Sequence, residues 1–420
     1  MNIWLITVGE PLPKFNSHNR ALRTQVLAQT LSSRGHSVTW WTSTFDHFGK
    51  FHFPVKTDMV NIDNIYDLHF LTGIAYRKNI SWQRFANHWQ IARDFMKKAR
   101  QKCRPDVIIC SLPTLELSDA AVKFGNRVGC PVILDVRDLW PDEIVARFPP
   151  ALQGLARMLV APLTRMSQRA SRGAAAIVGV SKAYLDWGLA HAGRDAGPCD
   201  AVIPLGHPGR AAPSGTDDIA MANLIAAGVD PSKVIIASVG TFGNSVDLGT
   251  VIEAANRMAR DDVQFVFAGT GDREAEWREL ARDNPTIIFT GWVGGAEIAA
   301  LLAHAKVGLV AYRPGTLIAM PNKIFEYLCY GVPLLNSIPG EAAALISDQC
   351  VGLNYEAGNV ADLARALTAI LANPAAHHGM ATAASALFGS AFSSTSVYGR
   401  YSALIETVAG IGARAGQNGT

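Results

Sequence analysis

The chain has 420 residues, of which 49% are hydrophobic and only 17% charged, with a net charge of +3. That length exceeds what one hydrophobic core fills, so two domains are expected, and the apolar composition excludes a disordered chain. The small net charge gives no support to nucleic-acid binding. No uninterrupted apolar run reaches the roughly 18 residues a membrane span needs, and residues 1–9 lack the basic start and apolar length of a signal peptide. These features predict a cytoplasmic protein. The six cysteines, at 103, 110, 130, 199, 329 and 350, form no Cys-x-x-Cys pair and have no histidine at ligand spacing. They are expected to be reduced core residues, with no metal and no cofactor.

Short apolar, β-branched runs alternate with segments of helical period. In the first half the expected strands are 3–8, 37–42, 107–110, 132–135, 176–180 and 201–203. Residues 20–34 repeat Leu22, Val26, Leu27 and Leu31 at helical spacing, and Gly35 suits the end of that helix. Strands buried on both faces and separated by helices predict a parallel, doubly wound α/β sheet. The stretch 204–232 is rich in Pro and Gly and is expected to link two domains. A second alternation follows, with strands at 234–239, 263–268, 287–290, 307–310 and 332–336. The expected domains are 1–205 and 206–395, two Rossmann-like units facing a deep cleft. A last helix over about 396–412 has no strand after it and is expected to pack back on the first domain.

Three segments carry candidate chemistry. Gly240-Thr-Phe-Gly-Asn244 and Ala268-Gly-Thr-Gly-Asp272 each follow a strand and precede a helix. Glycines there let backbone N–H groups approach a phosphate, although tight turns of any doubly wound sheet also need glycine. Neither completes a dinucleotide-binding fingerprint. The third segment, Met320-Pro-Asn-Lys-Ile-Phe-Glu-Tyr-Leu-Cys-Tyr-Gly331, is more informative. Pro321 suits a helix start, where Lys323 is disfavoured by the helix dipole unless an anion binds beside it. Asn322 and Glu326 share a side with Lys323, and a carboxylate there is placed to accept hydrogen bonds from two ribose hydroxyls. An ordinary surface Lys–Glu pair is the alternative.

This segment resembles the C-terminal motif of retaining glycosyltransferases of family 4, of the GT-B fold, in the subgroup reading Pro-x-Lys-x-x-Glu-Tyr. Arg34-Gly-His-Ser-Val38, Asp135-Val-Arg-Asp-Leu-Trp-Pro-Asp142, Val180-Ser-Lys182, Ile203-Pro-Leu-Gly206 and Phe289-Thr-Gly-Trp292 resemble further family segments, in order along the chain. Residues 10–23 and 41–47 resemble bacterial enzymes similar to WbuB, which build O-antigen or capsular saccharides. The resemblance implies retaining transfer of a sugar from a nucleotide-sugar donor, expected to be UDP-linked, to a lipid-linked or saccharide acceptor. Other readings are a GT-B sugar-nucleotide epimerase and a non-catalytic nucleotide-sugar-binding protein.

By the same resemblance Glu326 holds the ribose and Lys323 lies near the diphosphate. Gly240, Thr241, Phe242, Gly243, Asn244, Gly269, Gly271, Pro321 and Asn322 line the nucleotide. Glu10, Asn19 and Arg20 belong to a loop meeting acceptor or phosphate. Three departures stand out. Ile318 occupies the place of the family's first motif glutamate, Thr241 and Asn244 replace its usual cations, and Arg137 replaces its histidine. With no carboxylate placed as nucleophile, front-face attack is expected, with Lys323, backbone N–H groups and Arg137 stabilising the leaving group. Asp138 is expected to orient Arg137 or act on the acceptor. Arg137 and Asp138 are also readable as a structural ion pair.

Residues 76–104 hold nine basic residues against one acidic residue, Asp94. Trp82, Phe85 and Trp89 fall near one helical face, among Arg77, Lys78, Arg84, Lys97 and Lys98. A basic amphipathic helix with tryptophan suits an anionic surface such as the inner face of the plasma membrane. The same stripe also fits a helix buried in a Rossmann core.

Overall fold

The computed structural model describes residues 1–15, 21–47, 49–78, 81–210, 217–258, 260–316 and 318–417. The chain divides into two compact units, Met1–Pro204 with Val397–Thr420, and Leu205–Ser396.

The first unit is built on an eight-stranded sheet. Its strands are β1 (Asn2–Ile6), β2 (Ser37–Ser43), β3 (Met59–Ile62), β4 (Tyr66–Leu71), β5 (Val107–Leu112), β6 (Val132–Val136), β7 (Ala176–Gly179) and β8 (Ala201–Val202). They lie in the order β3-β4-β2-β1-β5-β6-β7-β8. Every pairing is parallel except β3 with β4. β5 and β6 are buried along their whole length, as strands covered on both faces must be. Trp4, Trp40 and Trp41 are all core residues.

The β3–β4 hairpin has no counterpart in the sequence-based expectation. Its turn uses Asp63 and Asn64, both at positive φ, which these residue types tolerate. The helix Ser394–Gln417 lays Val397, Tyr398, Tyr401, Ile405 and Val408 into the first unit's core, beside Ile3, Leu5 and Leu27.

The second unit has a six-stranded, wholly parallel sheet. Its strands are β9 (Val234–Val239), β10 (Val263–Ala268), β11 (Ile287–Gly291), β12 (Ala305–Val310), β13 (Leu334–Asn336) and β14 (Gly352–Asn354), in the order β11-β10-β9-β12-β13-β14. The stretch read as a linker contains a helix, Asp217–Ala226. It belongs to the second unit because Ala220 and Leu224 are buried, Leu224 in that unit's core.

All six cysteines are free; Cys110, Cys130 and Cys329 are buried, Cys199 is half-buried, and Cys103 and Cys350 are exposed rather than in the core. Among the described residues no helix is long and apolar enough to cross a membrane. None of their His, Cys, Asp and Glu side chains cluster in groups of three or more that could hold a metal ion.

Candidate functional site: a helix start docked on a glycine turn

In the second unit the helix Asn322–Cys329 follows β12 and leads into β13. Its apolar residues Ile324, Phe325, Tyr327 and Leu328 are buried. Pro321 precedes the helix with extended backbone, and no side chain caps its first turn. The Ile324 N–H is taken by the Pro321 carbonyl (3.1 Å), and among the described residues the Asn322 and Lys323 N–H groups are left open to an acceptor from outside. At the other end Arg210 donates to the Cys329 carbonyl (2.9 Å) and lies over the Tyr330 ring. That cation complements the negative end of the helix dipole.

One tyrosine fixes this helix on the sheet. Tyr327 Oη accepts the Val239 backbone N–H at 3.0 Å and donates to the Leu309 carbonyl at 3.4 Å. Val239 is the last residue of β9, so the turn beginning at Gly240 is held one residue from the helix. Lys323 lies with its ammonium 5.4 Å from the centroid of the Tyr312 ring. Tyr312 in turn bridges to Val246 at the end of the glycine turn. Among the described residues Lys323 has no hydrogen-bond or ion-pair partner. Burial pulls its pKa down to about 8, with the Glu326 carboxylate working in the opposite direction. A cation held this way favours an arriving anion.

Glu326 stands 3.8 Å from His207 Nε2. His207 Nδ1 accepts the Gly209 N–H, which leaves the ring proton on Nε2, toward the carboxylate. Sequence reasoning missed His207, which sits inside the Pro/Gly-rich stretch. It also missed Arg273, which reaches the Val246 carbonyl (3.5 Å), and exposed Arg313, whose N–H bonds the Ser245 carbonyl (2.9 Å). Both arginines border the glycine turn.

The two glycine turns are bonded to each other. Gly240 N–H donates to the Ala268 carbonyl and Phe242 N–H to the Thr270 carbonyl, both at 2.9 Å. A Cβ on Gly269 would collide with the Gly240 carbonyl, and one on Gly271 with the Phe242 backbone. Internal packing thus accounts for both glycines. Gly243 differs: its φ is ordinary and a Cβ would meet nothing within 4 Å. Phe242 is buried against Trp277 and Phe289, so only its backbone belongs to the turn's surface. Thr241 and Asn244 are exposed. The next helix, Leu248–Met258, does not offer a free start, since the Asp247 carboxylate accepts from Thr250 N–H and Oγ1. Of the two helix starts, Asn322–Cys329 is the uncapped one.

In the first unit, Arg137 and Glu10 are engaged with each other. The Arg137 guanidinium pairs with the Glu10 carboxylate, and its Nε donates to Asp135 at 2.9 Å. Asp135 is wholly buried and also receives a two-pronged contact from Arg23 (2.9 and 3.1 Å). Burial alone would raise the Asp135 pKa; the charges of Arg137 and Arg23 and their hydrogen bonds bring it below the usual carboxylate range. Glu10 further accepts from Thr24 N–H and Oγ1. Two cations and two anions thus tie β1's loop, the first helix and β6 together. Asn19 and Arg20 lie outside the described residues.

Asp138 faces the other way, into a cavity of about 220 Å³ beside Gly9, His47, Tyr76, Arg84 and His88. The cavity sits where β1, β2, β5 and β6 end, which includes the point where strand order reverses. The Asp138 carboxyl is pushed up to about 8 by burial and by the hydrogen bond and charge of Glu143. His47 meets Tyr76 Oη at 2.6 Å, and its pKa falls to about 4 through burial and the charges of Lys50 and Arg84. Arg84 donates to His88 Nε2 (3.4 Å) and stacks over Trp140. The cavity therefore offers mainly neutral hydrogen-bonding groups with one guanidinium.

The basic helix of the first unit is Trp82–Ala99. Its core face is Asn87, His88, Ile91, Ala92, Phe95 and Ala99. Trp82 and Trp89 point outward, 71% and 56% exposed, and share that side with exposed Arg93, Lys97 and Arg100. Phe85 is half-buried. Lys98 is tied to Asp58 and Asp94, while Arg77 and Lys78 are exposed before the helix.

Residues 233–373 match the family described as Glycosyl transferases group 1. Among curated proteins none matches this sequence. Solved structures align over nearly the whole chain. Sucrose-phosphate synthase from Thermosynechococcus elongatus has a TM-score of 0.70 at 17% identity, covering 97% of this chain and 98% of its own. The fold is GT-B. Anabaena HepE in complex with UDP gives 0.68 at 13% identity, covering 97% and 99%. WaaG, a glycosyltransferase involved in lipopolysaccharide biosynthesis, gives 0.65 at 14%, covering 96% and 99%. At these identities the likeness establishes GT-B architecture alone, and the matched family segment contains the Gly240 turn, Lys323 and Glu326.

Proposed function

We propose that this chain is a retaining glycosyltransferase of the family 4 type, moving a sugar from a UDP-linked donor to a lipid-linked or saccharide acceptor. The observation that carries the reading is the uncapped helix start at Asn322, held by Tyr327 against the Gly240 turn, beside Lys323, whose ammonium rests over the Tyr312 ring with no hydrogen-bond or ion-pair partner among the described residues. Its N–H groups and Lys323 would bind the diphosphate, and Glu326 the ribose. Exposed Arg313 adds positive charge where Thr241 and Asn244 carry none, whereas the Arg273 guanidinium is paired with the Glu276 carboxylate. The relative crystallised with UDP, HepE, supports uridine as the base.

In this reading the charge on the departing diphosphate is met by Lys323 and backbone N–H groups, with no metal. The 220 Å³ cavity of the first unit takes the acceptor, and Asp138 lines it. Arg137 positions this region through Glu10 and Asp135. The exposed Trp82, Trp89, Arg93 and Lys97 face suits peripheral contact with the inner face of the plasma membrane, in the WbuB-like setting of O-antigen or capsule assembly. Calorimetry with UDP, GDP and their sugar conjugates, followed by a screen for donor hydrolysis, tests the function. Absence of binding to every nucleotide sinks it; binding without hydrolysis or transfer points to a non-catalytic binding protein.

A further inference from the structure

The largest exposed apolar side chains of the first unit include a second group, away from the tryptophan helix. The helix Gln153–Gly173 buries Ala156, Val160, Ser167, Ala170 and Ser171. Its opposite side begins with Leu155, Met158 and Leu159, at i, i+3 and i+4. Met158 is 75% and Leu159 69% exposed, and exposed Leu152 and Phe148 continue the patch just before the helix. An apolar patch of this kind on a folded surface marks a contact. Its charge says with what. Residues 144–173 contain five arginines and no acidic residue. Arg169 is engaged with Asp119, whereas exposed Arg147, Arg157, Arg165 and Arg172 have no side-chain partner among the described residues.

We propose that residues 148–159 insert into an anionic lipid bilayer, with Leu155, Met158 and Leu159 among the acyl chains and the neighbouring arginines on the phosphate headgroups. An amphipathic helix lying in the interface has this arrangement: apolar side chains flanked by cations. A protein partner would use the apolar patch equally well but gives no reason for the excess of unpaired arginines around it, against which only Asp142 and Glu143 stand just before the patch. The geometry also joins this patch to the tryptophan helix. Phe85 and Leu163 line one crevice beside Trp140. Trp82 and Trp89 are i−3 and i+4 from Phe85, and Leu159 is i−4 from Leu163, so each helix carries its exposed apolar residues within a turn of that shared crevice, with the helix Leu115–Val128 packed between the two. Both helices precede parallel strands, β5 and β7, and so begin at the edge where the strands end and the 220 Å³ cavity lies. The inference deepens the membrane reading given above, on which it rests for the class of surface. It does not depend on sugar transfer.

The test uses the full chain with vesicles of phosphatidylcholine plus phosphatidylglycerol, and of phosphatidylcholine alone. Co-flotation with the anionic vesicles and slowed amide exchange over residues 148–159 are expected. Met158→Glu with Leu159→Glu, both at highly exposed positions, should weaken vesicle binding roughly tenfold or more with an unchanged circular-dichroism spectrum. Arg93→Glu with Lys97→Glu tests the tryptophan helix separately. If only that second pair matters and exchange over 148–159 is unaffected by lipid, the insertion is refuted while the earlier membrane reading stands. If neither pair matters because the protein does not bind vesicles, both fall. Self-association abolished by the Met158/Leu159 pair, without lipid binding, would assign the patch to a protein contact instead.

Discussion

The hydroxyl of Tyr327 receives the backbone N–H of Val239 at 3.0 Å, joining a helix to a strand that precedes it by some eighty residues in the sequence. Through this one contact the glycine turn after β9 and the helix start bearing Lys323 become parts of a single surface. Tyr327→Phe leaves the Val239 donor buried without a partner, at a cost of about 1–3 kcal/mol. Denaturant unfolding should show that loss, and calorimetry should show weaker nucleotide binding although the substituted atom touches no ligand.

Lys323 is held with a lowered pKa, so the folded protein bears a cost whenever the ammonium is charged. The cost is full below about pH 8 and disappears toward the ordinary lysine range, where the unfolded chain also loses the proton. Lys323→Met should therefore stabilise the protein, by about 1–2 kcal/mol after allowance for partial exposure, while nucleotide binding falls. Opposite signs in melting temperature and affinity are the expected signature.

A diphosphate beside Lys323 favours the charged form, so binding takes up a proton once the free ammonium has begun to titrate. Affinity for UDP should decline as pH rises through about 8, and this decline should be absent in Lys323→Met. Calorimetry in buffers of different ionisation enthalpy measures the proton uptake directly.

The glycines separate into two classes. Gly269→Ala forces a Cβ against the Gly240 carbonyl and should destabilise by about 2 kcal/mol or more. Gly243→Ala meets open space and should leave the melting temperature unchanged, yet reduce nucleotide affinity if the diphosphate approaches that backbone. Equal affinity in Gly243→Ala would remove the turn from the site.

Breaking the four-charge group of the first unit should cost stability first. Arg137→Ala strands Glu10 and part of the charge on Asp135, with an expected loss of about 3–5 kcal/mol. Asp138→Asn should behave differently. The Asp138 pKa is raised in the folded state, so its contribution is whole below the ordinary aspartate range and lost as pH rises through about 8. Replacing it should flatten the fall in stability between the ordinary aspartate range and about pH 8 while altering turnover, a pairing that Arg137→Ala does not predict.

Much of the architecture is legible in the sequence because both sheets are nearly all parallel, and buried parallel strands read as unbroken apolar runs such as Val107-Ile-Ile-Cys110. The β3–β4 hairpin escapes that pattern: it lies at a sheet edge, carries Asn61, Asp67 and His69, and its Asp63-Asn64 turn was the only local sign of it. β14 has three residues, too few to show a period. At the helix start proposed to hold the nucleotide, Lys323 and Glu326 stood out in the sequence because a cation at a helix start demands an explanation. His207, Arg273 and Arg313 were not, since their relation to the helix exists only in three dimensions. Arg137 shows the limit in the other direction. Its chemistry suggested reactivity, and only the fold shows that its guanidinium is held between Glu10 and Asp135.

The helix carrying Tyr398 and Tyr401 adds a consequence for how the chain is made. Tyr401 stacks on Arg23, and Val397, Ile405 and Val408 complete a core whose other members begin at Ile3. A ribosome emits Ile3 long before Val408, with the whole second unit synthesised between them. The later unit is thus the first to possess all of its own residues, and the earlier one waits, with part of its interior open to solvent, until translation is almost over. A released chain truncated just before residue 397 should have a second unit that resists protease and a first that does not.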